Sequence, residues 1–207
     1  MLALDDVRPS DARLKFYFFS PHTSFASVRQ IITLGGIVTI DEAKIQELRS
    51  LITAVLGLPE NYPEDDEIPG KPWTPPSQEI FAEEAALIGG YMYFFDIAPG
   101  NPKAVNDVKF YLPVRLYGPD DATISKSVAK WMRDRGRGAY VDGFLRVLDS
   151  IAEHRDLSEG KGIQTHLGCV FKNNGDLEVT SYVGPESYHP ARFPPSKRVA
   201  NGAKKRF

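Results

Sequence analysis

The 207-residue chain lacks the features that mark several broad protein classes. Its single cysteine, Cys169, excludes an internal disulfide framework and is typical of a reducing compartment, so a cytoplasmic location is expected. No apolar run approaches the roughly 18 residues of a membrane-spanning helix, and the first residues are too acidic for a signal peptide. The net charge of −2 gives no reason to expect nucleic acid or a membrane as a partner.

Metal-binding motifs are also missing from the sequence. No third carboxylate follows any aspartate pair at the spacing of an Asp-Asp-x-x-Asp motif; the pairs are Asp5-Asp6, Asp65-Asp66 and Asp120-Asp121. The last pair is instead typical of a turn and a helix N-cap. Three histidines have no carboxylate or thiol at metal-ligand spacing and are expected at the surface or in turns: His22, His154 and His189. Neither a metal nor a cofactor is therefore expected.

Two near copies of one short pattern stand out in the sequence. Residues 13–18 and 107–112 both place a lysine, an aromatic residue and a tyrosine in succession, with the period of two that is typical of a β-strand. In each copy the lysine and the tyrosine share one face, and apolar residues occupy the other. One such strand is more often a solvated face. Two matched copies indicate a cavity that binds an anion beside a group that contacts aromatic rings.

Hydrophobic periodicity predicts a repeated order of elements. Strands are predicted at 13–19, 91–97, 108–117, 163–172 and 177–183. Helices are predicted at 24–33, 41–55, 121–135 and 140–154, and a proline-rich loop at 57–78. The Asn-Gly step at 174–175 favours a hairpin between the last two strands. The resulting order, β-αα-ββ-αα-ββ, predicts an α+β fold with all helices on one side of an antiparallel sheet that tends to curl into a barrel.

Four motifs occur in a fixed order along the chain: Arg13-x-Lys15-x-Tyr17, Thr33-Leu34-Gly35-Gly36, Lys109-x-Tyr111-Leu112-Pro113-Val114-Arg115-x-Tyr117-Gly118 and Ser181-Tyr182-Val183-Gly184-Pro185-Glu186. With these motifs the chain resembles the fungal aromatic prenyltransferases of the dimethylallyltryptophan synthase family. The resemblance implies an ABBA-type prenyltransferase barrel, in which antiparallel strands lie inside a ring of helices. It implies a partial barrel domain at residues 1–192, followed by a basic disordered tail at 193–207.

The same resemblance implies that the chain corresponds to the C-terminal half of longer family members. The general-base glutamate of the family is then expected in the absent N-terminal half, so no catalytic base is assigned here, and Glu178 is the nearest candidate. Five predicted strands would leave two long edges unpaired, and open edges invite pairing with another chain. A complementary chain or a homodimer is therefore an expected partner, and the chain alone is expected to be slow or inactive.

The function implied by the resemblance is transfer of a dimethylallyl group from dimethylallyl diphosphate to an aromatic acceptor such as an indole, in alkaloid biosynthesis. The diphosphate-binding cations implied by motif position are Arg13, Lys15, Lys109 and Lys172. The implied carbocation shield consists of Tyr17, Tyr111, Tyr182 and His166, the last standing where the family more often has tyrosine. Cationic side chains neutralise a diphosphate directly, and each ring face stabilises a cation by about 0.5–2 kcal/mol. The alternative is a truncated, inactive relative that binds an isoprenoid diphosphate or pairs with a complementary chain.

Overall fold

The computed structural model describes residues 1–70, 89–97, 108–172 and 174–193. Its strands are β1 (Leu2–Leu4), β2 (Leu14–Ser20), β3 (Tyr91–Ile97), β4 (Lys109–Leu112), β5 (Gln164–Phe171) and β6 (Leu177–Val183). Its α-helices are α1 (Phe25–Ile32), α2 (Glu42–Leu56), α3 (Val114–Tyr117), α4 (Asp121–Asp134) and α5 (Val141–Ile151). Short 3-10 helices occupy Gly138–Tyr140, Leu157–Glu159 and Pro190–Arg192. No helix among these residues is long and apolar enough to cross a membrane.

The described strands form one antiparallel sheet in chain order, β1 to β6. A row of aligned residues crosses it from Phe18 through Tyr93, Phe110 and Cys169 to Val179. This row belongs to the face that packs against the helices. Within the described ranges β1 and β6 each pair with one neighbour, so the sheet is open at both edges. The predicted antiparallel α+β arrangement is confirmed as a partial barrel.

The core lies between the helix-facing side of the sheet and the apolar stripe of α2. Four residues of that stripe, spaced three or four apart as predicted, are at most 2% exposed: Ile45, Leu48, Ile52 and Val55. Full burial of such a side chain contributes about 1.5–3 kcal/mol. They belong to one cluster with the buried strand residues Tyr93, Phe110 and Leu167. The helices thus determine which face of the sheet is buried in the core. The opposite face does not pack against this cluster.

Polar caps set the helix boundaries. Asp41 accepts a hydrogen bond from the Ala43 N–H at 2.7 Å at the start of α2, and Asp120 accepts one from the Thr123 N–H at 2.8 Å at the start of α4. Each satisfies a donor that the first helical turn leaves open. Gly57 ends α2 in the left-handed region, at φ 67°, which glycine adopts without strain. The N-cap predicted for the Asp120-Asp121 pair is confirmed at Asp120, and Asp41 caps the helix that was predicted to begin at residue 41.

Two strand predictions were wrong. The strand predicted at 108–117 ends at Leu112, and α3 begins at Val114. Pro113 between them has no N–H for the ladder and cannot continue a central strand. The short strand β1 was not predicted, and its alignment of Leu2 with Phe16 gives β2 a partner that the sequence interpretation had placed outside the chain. Three residues are too few to show a period of two.

Some sequence predictions fall wholly or partly outside the described residues. The predicted loop at 57–78 is irregular as far as residue 70, and its remainder is not described. The predicted tail is described only at Phe193.

The hairpin between β5 and β6 is confirmed, since the Lys172 N–H donates to the Asp176 carbonyl at 2.9 Å and Gly175 has φ 81°.

A buried carboxylate, Asp121, holds the start of β5 to the start of α4. Its side chain is 0% exposed and accepts hydrogen bonds from the N–H groups of Ile163 at 3.1 Å and Gln164 at 2.9 Å. Arg155 pairs with the same carboxylate at 2.5 Å. A buried charge is tolerated when it is paired and hydrogen-bonded in this way. Asp121 is therefore a structural anchor in addition to the first helical residue that was predicted.

The same arginine extends the network to the segment after β6. Arg155 Nε donates to Glu186 Oε2 at 2.8 Å, and His154 Nε2 lies 2.9 Å from that oxygen. His154 lies in a turn, as predicted, but its side chain is buried at 2% exposure and is not at the surface. Glu186 brings the chain back against α5 after Val183 and so fixes the end of β6.

Replacing Asp121 by Asn should lower the free energy of unfolding by about 3 kcal/mol, because the buried Arg155 loses a counter-charge. Urea unfolding at pH 7 measures this. The control is Asp149→Asn on the exposed side of α5, which should stay within about 0.5 kcal/mol of the parent. Equal small changes in both variants would show that the buried pair does not hold the fold.

Candidate site on the lysine–tyrosine face

The register brings the predicted strand residues to one face of the sheet. Tyr17 aligns with Phe94 and Phe94 with Lys109. Tyr111 aligns with Gly168, and residue 166 aligns with Tyr182. Direct cross-strand partners share a face, and residues two apart in a strand do as well. The face opposite the core, called here the lysine–tyrosine face, therefore carries Lys15, Tyr17, Phe94, Lys109, Tyr111, His166 and Tyr182.

The four predicted cations lie at one end of the sheet. Arg13 and Lys15 stand at the start of β2, Lys109 at the start of β4, and Lys172 directly after the end of β5. Because neighbouring strands are antiparallel, the starts of β2 and β4 and the finish of β5 fall at the same end. This cation end is a concentration of positive charge suited to an anionic ligand.

Asp5 already holds two of these cations. Its carboxylate accepts a hydrogen bond from Arg13 Nε at 2.8 Å and forms an ion pair with Lys15 Nζ. The hydrogen bonds from Lys15 and Arg13 lower the pKa of Asp5. A carboxylate gripped by a guanidinium and an ammonium has the chemistry of a small bound oxyanion. Sequence analysis missed this role, because Asp5 lies in the irregular segment directly after β1, eight residues from Arg13, and carries no periodic signal.

Lys172 and Glu178 form a second pair at the cation end. Their side chains are both about half exposed, and their charged atoms lie 3.3 Å apart. Such a surface pair contributes about 0–1 kcal/mol and breaks readily. Glu178, the nearest candidate base in the sequence, therefore lies beside a lysine at the rim of the site.

Lys109 lies between two tyrosine rings. Its Nζ donates to the Tyr182 hydroxyl at 3.1 Å and lies 5.3 Å from the Tyr111 ring centroid and 5.4 Å from the Tyr182 centroid. The two ring centroids are 5.7 Å apart. Burial raises the pKa of Tyr111, and the neighbouring Tyr182 adds to the shift, so Tyr111 keeps its proton at neutral pH. The cluster therefore already accommodates one positive charge, at the Tyr182 hydroxyl and beside the Tyr111 ring.

Tyr17 contacts a residue that the sequence analysis did not select. Its ring centroid lies 4.8 Å from that of Phe94 on β3. Phe94 stands between Tyr17 and Lys109 in the register, so the aromatic surface continues across three strands. Periodicity could not select Phe94, because β3 shows no clear period of two: it is aromatic at Tyr91, Tyr93, Phe94 and Phe95.

His166 is kept neutral. Burial, with a smaller contribution from the charge of Arg115, lowers the pKa of His166 to about 4. A neutral imidazole does not repel a cation, so this departure from tyrosine leaves the face compatible with a cationic intermediate. Arg115 is a further functional candidate that was missed, because the strand predicted through Pro113 did not anticipate α3. Burial lowers the pKa of Arg115 as well.

The sequence profile described as tryptophan dimethylallyltransferase matches residues 1–147. The chain belongs to this family. Prenyltransferase anuH of Penicillium roqueforti is 54% identical over 194 residues, covering 93% of this chain and 42% of that protein. Xanthone prenyltransferase A of Emericella nidulans is 39% identical over 196 residues, covering 89% of this chain and 43% of that protein. The chain thus spans less than half the length of these two relatives.

Solved structures of prenyltransferases share the fold. AnaPT from Neosartorya fischeri has a TM-score of 0.64 at 19% identity, over 89% of this chain and 38% of that one. NotF in complex with brevianamide F and DMSPP has a TM-score of 0.64 at 18% identity, over 89% of this chain and 40% of that one. The predicted ABBA-type prenyltransferase fold and the family resemblance are both confirmed.

The neutral state of His166 makes stability depend on pH in a defined window. The folded chain keeps this imidazole neutral down to about pH 4, whereas the unfolded chain protonates it below about 6.5. Stability should therefore fall as pH drops through this window, by on the order of 3 kcal/mol from this residue. Urea unfolding at several pH values measures the fall. His166→Gln should reduce it and the exposed His22→Gln should not; parallel curves for parent and His166→Gln would contradict the assignment.

Proposed function

We propose that this chain forms the diphosphate-binding and cation-shielding part of an enzyme that transfers a dimethylallyl group to an aromatic acceptor. The observation that carries the proposal is the lysine–tyrosine face, where the cation end adjoins two tyrosine rings that already hold the Lys109 ammonium. Family membership over residues 1–147 supports the reaction class. The roles given below to individual residues rest on geometry and motif position.

The reaction that this face fits proceeds through an allylic cation. The bond between the first dimethylallyl carbon and the diphosphate oxygen breaks, and diphosphate leaves with the electron pair. A carbon of the acceptor ring then attacks the cation, and the proton on that ring carbon passes to a base. Arg13, Lys15 and Lys109 would stabilise the leaving diphosphate by charge-assisted hydrogen bonds. The rings of Tyr111 and Tyr182 would stabilise the cation and exclude water from it.

The positive charge of Lys109 would repel the allylic cation unless a bound diphosphate neutralises it. An ammonium and a carbocation about 6 Å apart repel by roughly 3 kcal/mol at an effective dielectric constant of 20. This cancels much of what the two rings provide. A diphosphate bound to Lys109 neutralises the ammonium, so the cation forms beside an ion pair. We infer that Lys109 must contact the diphosphate before the allylic bond breaks.

The relatives narrow the choice of acceptor. Xanthone prenyltransferase A, whose name specifies a xanthone, a fused three-ring aromatic, is 39% identical to this chain. NotF, which was solved with the indole compound brevianamide F, is 18% identical. Of these two relatives, the one with the higher identity favours a fused three-ring aromatic as the first acceptor to test, with the indole acceptor as the comparison.

A second candidate function is binding without turnover. The chain spans 42% of the length of prenyltransferase anuH, and its described sheet is open at both edges. An open sheet admits water, which screens charges and captures an allylic cation. On this alternative the chain binds an isoprenoid diphosphate, or pairs with a complementary chain or a second copy, without catalysing transfer. The cytoplasmic location stays a prediction.

Charge changes at the cation end should move ligand affinity in opposite directions. Lys15→Glu should weaken dimethylallyl diphosphate binding at least about tenfold, since a charged hydrogen bond contributes roughly 1.5–3 kcal/mol. Asp5→Asn should strengthen binding, because it removes the carboxylate that competes for Arg13 and Lys15. Calorimetry measures both. The control is Lys126→Glu on the exposed side of α4; equal weakening by Lys15→Glu and Lys126→Glu would refute a localised site.

Product analysis decides between the two functions. The chain is incubated with dimethylallyl diphosphate and either a hydroxyxanthone or tryptophan, and then again with the part of prenyltransferase anuH outside the matched region supplied as a second chain. Transfer is expected only in the second experiment, with hydrolysis alone in the first, because water reaches the open face. Efficient transfer by the chain alone would contradict this account of the open sheet. Ligand binding without transfer in either experiment would favour the binding function.

A further inference from the structure

Gly168 lies at the centre of the lysine–tyrosine face. It belongs to β5 and aligns with Tyr111 on one side and with Thr180 on the other. Its own backbone does not require glycine, because its φ lies outside the left-handed region. The reason for a glycine here must therefore be sought in the space above its Cα.

That space is filled by Lys109 and Tyr182. A Cβ added to Gly168 would lie 2.7 Å from Lys109 Cε, 3.0 Å from Tyr182 Cε2 and 3.3 Å from Lys109 Nζ. Carbon atoms in good contact are about 3.5–4.0 Å apart, so even an alanine methyl overlaps the lysine. The lysine stem thus lies across β5 at the one point of the strand where no side chain stands in its way.

The Lys109 side chain extends across β5, so its ammonium lies away from the cation end and beside Tyr182. Lys109 begins at the cation end, where β4 starts, whereas Tyr182 is the second-last residue of β6 and lies toward the opposite end of the sheet. The hydrogen bond of 3.1 Å between their side chains is diagonal and passes over Gly168.

We propose that Gly168 is a positioning residue: by lacking a side chain, it seats the Lys109 ammonium between Tyr111 and Tyr182, where it receives the diphosphate beside the cation shield. The second part of this statement rests on the proposed function. The first part is a property of the sheet itself. Gly168 therefore sets the distance between the diphosphate contact and the aromatic rings.

Gly168→Ala should test this without unfolding the chain. The added methyl meets the end of a flexible side chain, so Lys109 swings away and the backbone keeps its course. Loss of one charged hydrogen bond should weaken dimethylallyl diphosphate binding about tenfold by calorimetry. The control is Gly143→Ala on α5, where an added Cβ meets nothing within 4 Å and affinity should not change.

Two further measurements separate positioning from a general structural effect. In a Lys109→Met background, which keeps an unbranched chain as far as Cε but removes the ammonium, Gly168→Ala should no longer change affinity. Acetic anhydride labelling, mapped by mass spectrometry, should increase several-fold at Lys109 in Gly168→Ala and stay unchanged in Gly143→Ala. An unchanged affinity in Gly168→Ala, or an equal loss with and without the lysine, would overturn the inference. If the parent chain does not bind dimethylallyl diphosphate, the proposed function fails, and the labelling alone decides whether Gly168 seats Lys109.

Discussion

The antiparallel register of β2 to β6 is the constraint on which the other features of the molecule depend. It divides each strand between two environments, one packed on α2 and its neighbours and the other facing away from the helices. A slip by one residue would exchange them and bury Lys15 and Lys109 in the core. The aligned row from Phe18 to Val179 on one face therefore fixes the lysine–tyrosine face on the other. Core packing and site geometry are two results of one alignment.

Charge on the lysine–tyrosine face is balanced locally before any ligand arrives. Asp5 neutralises part of the charge of Arg13 and Lys15, Glu178 does the same for Lys172, and Lys109 contacts a hydroxyl and two rings. Close cations repel one another and would oppose folding without such partners. A ligand with more negative charge than a carboxylate can displace these partners. The contacts that balance these cations therefore set a threshold of charge that a ligand must exceed.

The sequence was sufficient for the parts of the fold that depend on local pattern. The period of two around Lys15 and Lys109 predicted the shared face, the stripe of α2 predicted the buried helix face, and Asp41 predicted a helix start. Contacts between distant residues were not accessible in this way, as Asp121 with Arg155 shows. Asp5 was missed because it acts from the irregular segment after β1, and Arg115 because a strand was predicted through Pro113. Tyr182 was assigned by its family motif and not by periodicity.

The hydrogen bond from Lys109 to Tyr182 also has an entropic consequence. A lysine side chain that is free to rotate loses up to about 2 kcal/mol of conformational entropy when it is fixed. Here the side chain is held across β5 by the hydroxyl and the two rings, so this loss occurs during folding. A ligand that binds the Lys109 ammonium contacts a side chain whose rotation is already restricted. Less entropy is therefore lost on binding, and less of the favourable binding enthalpy is cancelled. The rings of Tyr111 and Tyr182 thus raise ligand affinity in two ways. They contact the ligand themselves, and they reduce the conformational entropy that Lys109 loses on binding.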